Sequence, residues 1–153
     1  ILQAFRIMVV QERYEDLLAI GTIFCIKSEM LVIRGYHQEE EEILHYMLKA
    51  SQYLSDIDNQ ASALSNLSSL AINQNVFRSS EYYGKQAYAL YQEKNRSIGI
   101  FIVSIDLVLA SIDVGETTTA MTYLGQALMS LVDLIAGIHQ ERQETLAELD
   151  LLD

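Results

Sequence analysis

The sequence contains no proline and no tryptophan, one cysteine and only seven glycines. Without proline, long helices can run uninterrupted, and a turn-dense β-sandwich or barrel is disfavoured. The single cysteine excludes an internal disulfide, so a reducing compartment is allowed. Basic residues are also scarce, because ten Lys and Arg face 21 Asp and Glu and give a net charge of −11. This balance repels phosphate backbones, so we expect no nucleic-acid binding through this region.

Apolar residues, in contrast, are abundant and make up 50% of the 153 residues. That fraction can fill the core of one domain and is too high for a disordered chain. The longest apolar stretch, residues 98–114, is interrupted by Asp106 and Asp113. An aspartate at the centre of a bilayer costs about 2.5–3.5 kcal/mol, so we expect a buried helix here and no membrane partner.

The main signal is an internal repeat. Residues 60–91 align with 100–131, so that Asn75 falls on Gly115 and Ala87 on Ala127. The distance in sequence between the two aligned stretches lies within the periods, about 20 to 50 residues, that are typical of stacked helical repeats. We expect one all-α domain over 1–153 with units 22–59, 60–99 and 100–138, flanked by partial helices 1–20 and 139–153. The second half of the first unit is expected to carry a short insertion, and both chain ends are expected to be the cut ends of a longer protein.

Within each unit we expect a helix, a short turn and a second helix. The spacing of Ala63, Leu67, Leu70 and Ala71 is that of a helical stripe. The turn at 73–75 tolerates left-handed backbone. Residues 98–103 are β-branched enough for a strand, but their place in the repeat favours helix. The predicted N-caps are Asp58, Ser79 or Ser80, and Ser97.

The second and third units also share a pattern of small and large residues. It comprises Leu64, Leu67, Ser68, Ala71, Ser80, Gly84 and Ala87 in one, and Ser104, Leu107, Val108, Ser111, Ala120, Leu124 and Ala127 in the other. Over roughly residues 14–150 the chain resembles the tetratricopeptide repeat (TPR) family, especially the long-unit type of bacterial regulators. The resemblance implies a right-handed superhelix of antiparallel helix pairs.

The resemblance also implies that a protein or peptide segment binds on the concave face lined by the first helix of each pair. On this basis the predicted partner-binding residues are Glu29, Ser62, Ser65, Asn66, Ser69, Ile102, Asp106 and Leu109, with Ile105 beside them. The amide of Asn66 could match the two hydrogen bonds of a peptide group. Equally, Asn66 could cap or bridge a neighbouring helix, and both interpretations stay open.

A clamp for a terminal carboxylate is disfavoured by the residue types at the expected positions. The family positions that would form it correspond to Cys25, Glu29, Ser65, Ser69, Ile102 and Asp106, none of which is basic. We therefore expect a basic or neutral-apolar segment as partner. Self-association through the apolar end helices, giving a homodimer, is a further hypothesis.

A competing hypothesis is a small helical-bundle metal protein or enzyme that uses Glu41, Glu42 and His45. Glu42 and His45 have the Glu-x-x-His spacing of di-iron carboxylate bundles, but the second motif that such bundles need is missing. Glutamates in a first helical turn also complement the helix dipole. We expect no metal, no cofactor and no catalysis, and a buried, structural Cys25. The leading hypothesis is a non-catalytic interaction module in a larger cytoplasmic regulator.

Overall fold

The computed structural model describes residues 1–27 and 35–150, with side chains as far as residue 144. All secondary structure in these residues is helical, which confirms the all-α prediction. Glu29 of the predicted binding set lies outside the described residues. Across the described ranges seven α-helices follow one another, and a π-helical segment, Thr22–Lys27, continues the second: α1 Leu2–Val10, α2 Tyr14–Gly21, α3 His37–Leu54, α4 Ile57–Asn73, α5 Phe77–Glu93, α6 Ser97–Asp113 and α7 Thr117–Asp150.

The links between helices from α3 onwards recur at equal intervals along the chain. Gly35, Ser55, Asn75, Asn95 and Gly115 all have positive φ angles. After Asn75 the Val76 N–H donates to Ala71 O at 2.8 Å, and the same bond recurs from Glu116 to Ser111. This is the Schellman arrangement, which satisfies the last carbonyls of a helix. The predicted turns at Asn75 and Gly115 are confirmed, and so is the helical state of 98–103.

Helix starts correct several expectations about the boundaries. Asp56, rather than Asp58, caps α4, because its Oδ1 accepts a bond of 3.0 Å from the Asn59 N–H. Helix α6 begins at Ser97 with Arg96 in the cap position, so Ser97 is not a cap. Helix α5 begins at Phe77, which places Ser79 and Ser80 inside it.

The insertion expected in the second half of the first unit is not found there. Helices α3, α5 and α7 begin at equal intervals, so the second half of that unit has no extra residues. The irregular interval runs from Glu12 to Gly35, and it is slightly longer than the equal intervals between the later positive-φ positions. The π-helical segment lies in this interval, and wider π turns are a common way to accommodate added residues in a helix.

Both ends of the chain also differ from the expected partial helices. The stretch predicted as one helix, 1–20, instead contains α1 and most of α2, which are separated by a break at 11–13. At the other end, α7 continues through 139 to Asp150 with no turn at the expected unit boundary. Residues 135–138 carry no link like those at Asn75 and Gly115, so the last helix is twice as long as α4, α5 or α6.

Each helix packs against the next, and α4 also packs against α6. The ion pair between Asp58 and Arg96 joins the starts of α4 and α6, while Ser69 and Asp106 join the two helices further along. Helices α4 and α6 therefore lie side by side in the same direction. Ala87 and Ala127 are 0% and 1% exposed, which confirms that they occupy close helix contacts.

The core consists of two adjoining clusters. The larger cluster joins the four helices α1, α2, α3 and α4, and it includes Phe5, Leu17, Ile43 and Leu44. Full burial of each such side chain contributes roughly 1.5–3 kcal/mol. The smaller cluster joins α4, α5 and α6 through Leu64, Ala87 and Val103, and the half-buried Leu48 and Tyr83 pack against both clusters.

Candidate functional site

Three of the four predicted binding residues on α4, namely Ser62, Ser65 and Ser69, interact with other helices of the chain. Ser65 is only 5% exposed, and Ser62, Asn66 and Ser69 are half-buried. The amide nitrogen of Asn66 donates to Ser62 O at 2.8 Å, a bond within its own helix. The hydroxyls of Ser65 and Ser62 hydrogen-bond with Tyr91 of α5, whose pKa is raised by burial and lowered again by these two bonds. This part of α4 is an internal packing surface.

Asp106 of α6 is the most deeply buried polar member of the predicted set after Ser65. It is 8% exposed, and its Oδ2 accepts a hydrogen bond of 2.7 Å from Ser69 Oγ. Burial raises the pKa of the Asp106 carboxyl, and hydrogen bonds from Ser69 and Ser68 partly oppose that shift. Asp106 therefore lies in the contact between α4 and α6, where its side chain is bonded to Ser69 and has little surface open to a partner.

The remaining members of the set, Ile102 and Leu109, lie at the surface. Ile102 is 46% exposed, Ile105 36% and Leu109 44%. Their spacing places them on one side of α6. They are the repeat equivalents of Ser62, Ser65 and Ser69, since both sets stand at matching positions of successive units. The serines are covered or half-covered, whereas the aliphatic side chains are open.

Helix α7 adds three exposed leucines that sequence reasoning did not assign to binding. Leu124, Leu128 and Leu131 are 41%, 56% and 38% exposed. Sequence reasoning assigned Leu124 to the packing pattern of the second helix, together with the buried Ala120 and Ala127. The signal that could have found them was the repeat itself, because the leucines are equivalent to Gly84, Tyr88 and Tyr91 of α5.

The contacts of the equivalent α5 residues indicate which side of α7 its leucines occupy. A Cβ on Gly84 would lie 3.0 Å from Leu107 Cδ2 of α6, and a Cβ on Gly99 of α6 would lie 2.5 Å from the Tyr91 ring. Gly84 and Tyr91 thus contact α6 directly, as Ser69 does. By repeat equivalence, the open residues of α6 and α7 surround one further helix position. We call this set the α6–α7 face: Ile102, Ile105, Leu109, Leu124, Leu128 and Leu131.

The alternative metal site is not assembled. Arg6 makes two hydrogen bonds to the Glu42 carboxylate, at 2.9 and 3.0 Å, and the Tyr46 hydroxyl donates to the same group. These partners hold the pKa of Glu42 below its ordinary value. Glu41 lies 4.0 Å from His45 Nε2. Within 1–27 and 35–144, no three His, Cys, Asp or Glu side chains group as metal ligands would.

Cys25 is buried, as predicted, with 3% exposure. Burial, followed by the nearby Glu40 charge, raises the pKa of its thiol to about 12. A nucleophilic cysteine needs a thiolate near neutral pH. Cys25 is therefore a structural residue.

Several aromatic side chains pack between helices. The rings of Tyr88 and Tyr123 join α5 to α7 at 5.9 Å between centroids. Tyr83 meets His45 of α3 at 6.0 Å. Tyr82 differs, because it is 65% exposed.

In the described part of the chain, one helix segment, Thr117–Glu144 of α7, is long and apolar enough to cross a membrane. Only 11% of its most apolar window is buried. Asp133 lies within the segment and would be costly at the centre of a bilayer. A helix that is packed along one side in a soluble protein satisfies the same criterion of length and composition. What distinguishes α7 is that so much of its apolar surface is open.

Comparison with known proteins gives no match: no family model, curated protein or solved structure is similar to this chain. Its own internal repeat is therefore the reference from which its function can be argued.

Proposed function

We propose that the chain is a non-catalytic protein-interaction module, built as a TPR-like right-handed stack of antiparallel helix pairs, and that it binds its partner on the α6–α7 face. The parallel pairing of α4 with α6 and the equal spacing of the links support the stack. As the resemblance implied, the wider setting is the regulatory part of a cytoplasmic signalling or transcription-regulatory protein.

The observation that carries this proposal is the open aliphatic surface. Six Ile and Leu side chains of the α6–α7 face are between 36% and 56% exposed. Large exposed apolar patches on soluble proteins typically mark interaction sites. The proposed surface keeps Ile102 and Leu109 of the predicted set, and adds α7.

The competing hypothesis of a metal protein or enzyme has weaker support. It requires Glu42 to bind metal together with Glu41 and His45, yet Glu42 is held by Arg6 and Tyr46. Binding a metal there would first have to break two hydrogen bonds from a guanidinium, which are stronger than neutral ones.

A capture experiment with matched variants tests the proposal. The wild-type chain, the triple variant Ile102→Ser/Ile105→Ser/Leu109→Ser and the control Tyr82→Ser are immobilised and exposed to extract of the cells that make the protein. The triple variant copies the serines of α4, while Tyr82 is an exposed aromatic side chain on a different helix. We expect a protein that is retained by wild type and control and lost with the triple variant.

The same preparations distinguish the competing hypothesis. Metal analysis of the purified chain should find iron and zinc well below one equivalent. Stoichiometric metal that is lost on His45→Ala would overturn the proposal in favour of the metal protein, as would the absence of any partner whose retention depends on the α6–α7 face.

A further inference from the structure

Resting on the proposed function, we infer that the α6–α7 face is a seat for a single amphipathic helix of a partner protein, with an aliphatic stripe flanked by Lys or Arg. The template for this seat lies inside the molecule. Helix α6 occupies the equivalent position against α4 and α5, where it contacts Ser69, Gly84 and Tyr91. The same framework, displaced by one repeat, forms the α6–α7 face.

The side chains of the seat define the stripe of the occupant. Where α4 offers the Ser69 hydroxyl to Asp106, α6 offers Leu109, which has no hydrogen-bond donor. A carboxylate at the Asp106 position of an incoming helix would lose its partner and pay the cost of burial. The occupant therefore has an uninterrupted apolar stripe where α6 itself has Asp106.

The charges around the seat define the flanks. Between residues 97 and 150 the sequence has eight Asp and Glu against one Arg, Arg142. Of these acids Asp106 is internal, whereas Asp113, the last residue of α6, and Glu116, in the link to α7, are exposed. A partner helix with Lys or Arg beside its stripe meets complementary charge, which raises the association rate and selects against acidic competitors.

The same charges argue against a second copy of the chain as the occupant. Each copy carries the net charge of −11, and two α6–α7 faces brought together would place their acidic surroundings side by side.

The test uses two designed helical peptides of about five turns with the same leucine and alanine stripe, flanked by Lys in one and by Glu in the other. Binding to the full chain is measured by fluorescence anisotropy at about 50 and 300 mM salt. We expect the Lys peptide to bind at least tenfold more tightly than the Glu peptide at low salt, and the preference to shrink at high salt because screening weakens exposed charges.

Variants locate the binding. The triple serine variant described above should weaken binding of the Lys peptide at least tenfold, and Tyr82→Ser should leave it unchanged. Circular dichroism and thermal unfolding of both variants verify that they stay folded. If the triple variant unfolds, Leu128→Ser alone, at 56% exposure on α7, replaces it, with the same expectation for the loss of binding.

Four results would overturn the inference. Equal binding of the two peptides, or none by either, would reject the basic amphipathic helix. A dimer in sedimentation that is abolished by the triple variant would assign the face to a second copy. Recruitment to phosphatidylglycerol vesicles that depends on the face, without peptide binding, would assign it to lipid. If cell extract yields a face-dependent partner while the Glu peptide binds better, the proposed function stands and this inference alone fails.

Discussion

Two surfaces of this chain, at equivalent positions of successive repeats, have opposite character. The first is covered by α6 and presents Ser62, Ser65 and Ser69 from α4. The second is open and presents Ile102, Ile105 and Leu109 from α6. Burial of apolar area stabilises a fold, so aliphatic residues would be expected on the covered surface and serines on the open one. The proposed function accounts for this reversal, because a partner would cover the second surface.

The covered surface uses serine for a specific reason, which is a polar contact between helices. Ser69 donates to the buried carboxylate of Asp106, and the hydroxyls of Ser68 and Ser80 lie 3.0 Å apart between α4 and α5. Small residues also let the helices approach closely, as Gly84 does beside Leu107. The open surface has no such polar pairs among its six residues, so it places fewer demands on the partner's hydrogen bonding.

The largest effect is expected from Ser69→Ala, which removes a donor to a buried carboxylate. We expect a loss of about 1.5–3 kcal/mol at pH 8, the range for hydrogen bonds to charged groups. The equivalent change on the open side, Leu109→Ala at 44% exposure, should cost less, about 1 kcal/mol. Urea unfolding of both variants measures the difference.

The cost of Ser69→Ala should also depend on pH. Because the pKa of Asp106 is raised in the fold, the folded state binds this proton more tightly than the unfolded state does. Stability from this group is therefore lost as pH rises from about 3.9 through the folded pKa, and is level above it. Removing the Ser69 donor raises that pKa further, so the cost should shrink towards acid pH. Adding Asp106→Asn to the Ser69→Ala variant should restore part of the lost stability at pH 8. A loss of stability in Ser69→Ala that is the same at every pH would contradict this account.

A reciprocal exchange of Ser65 and Ile105 tests the reversal itself. Ser65→Ile forces a larger side chain into a site that is 5% exposed, and overpacking of this kind costs about 1–3 kcal/mol. Ile105→Ser, at 36% exposure, should cost about 1 kcal/mol or less, because much of the side chain already meets water. Thermal unfolding of each variant compares the two surfaces directly. Equal losses of stability in the two variants would show that both surfaces are equally packed. The α6–α7 face would then have no claim to be an open binding site.

How far the sequence predicted this molecule depends on the length scale. The offset between units and the turns at Asn75 and Gly115 could be predicted because repeated positions share one backbone requirement. The cap at Asp56 was missed because Asp58 has the same chemistry close by in the sequence, and only the helix start decides between them. The continuation of α7 was missed because the repeat predicted a boundary near 138 that local sequence did not enforce.

The site was harder to predict than the fold, because whether a side chain is buried or exposed depends on which other helices pack around it. Ser65 and Ile105 occupy equivalent positions, and nothing in either residue states that α6 covers the first and leaves the second open. The family resemblance assigned both to one concave face. The structure instead places Asp106 between helices and leaves Ile102 and Leu109 exposed.

The smallest effects are expected at two glycines, Gly84 at the covered surface and the exposed Gly125 of α7. A Cβ at Gly84 would approach Leu107 and Ser68 to 3.0 Å, whereas one at Gly125 meets nothing within 4 Å. Alanine favours helix over glycine by about 0.5–1 kcal/mol. Gly125→Ala should therefore raise stability by that amount. Gly84→Ala should give no gain or a loss, since Leu107 is 0% exposed and has no space to move. Thermal unfolding of the two variants decides, and a matching gain at Gly84 would mean that α5 and α6 pack less closely than the comparison of the two surfaces requires.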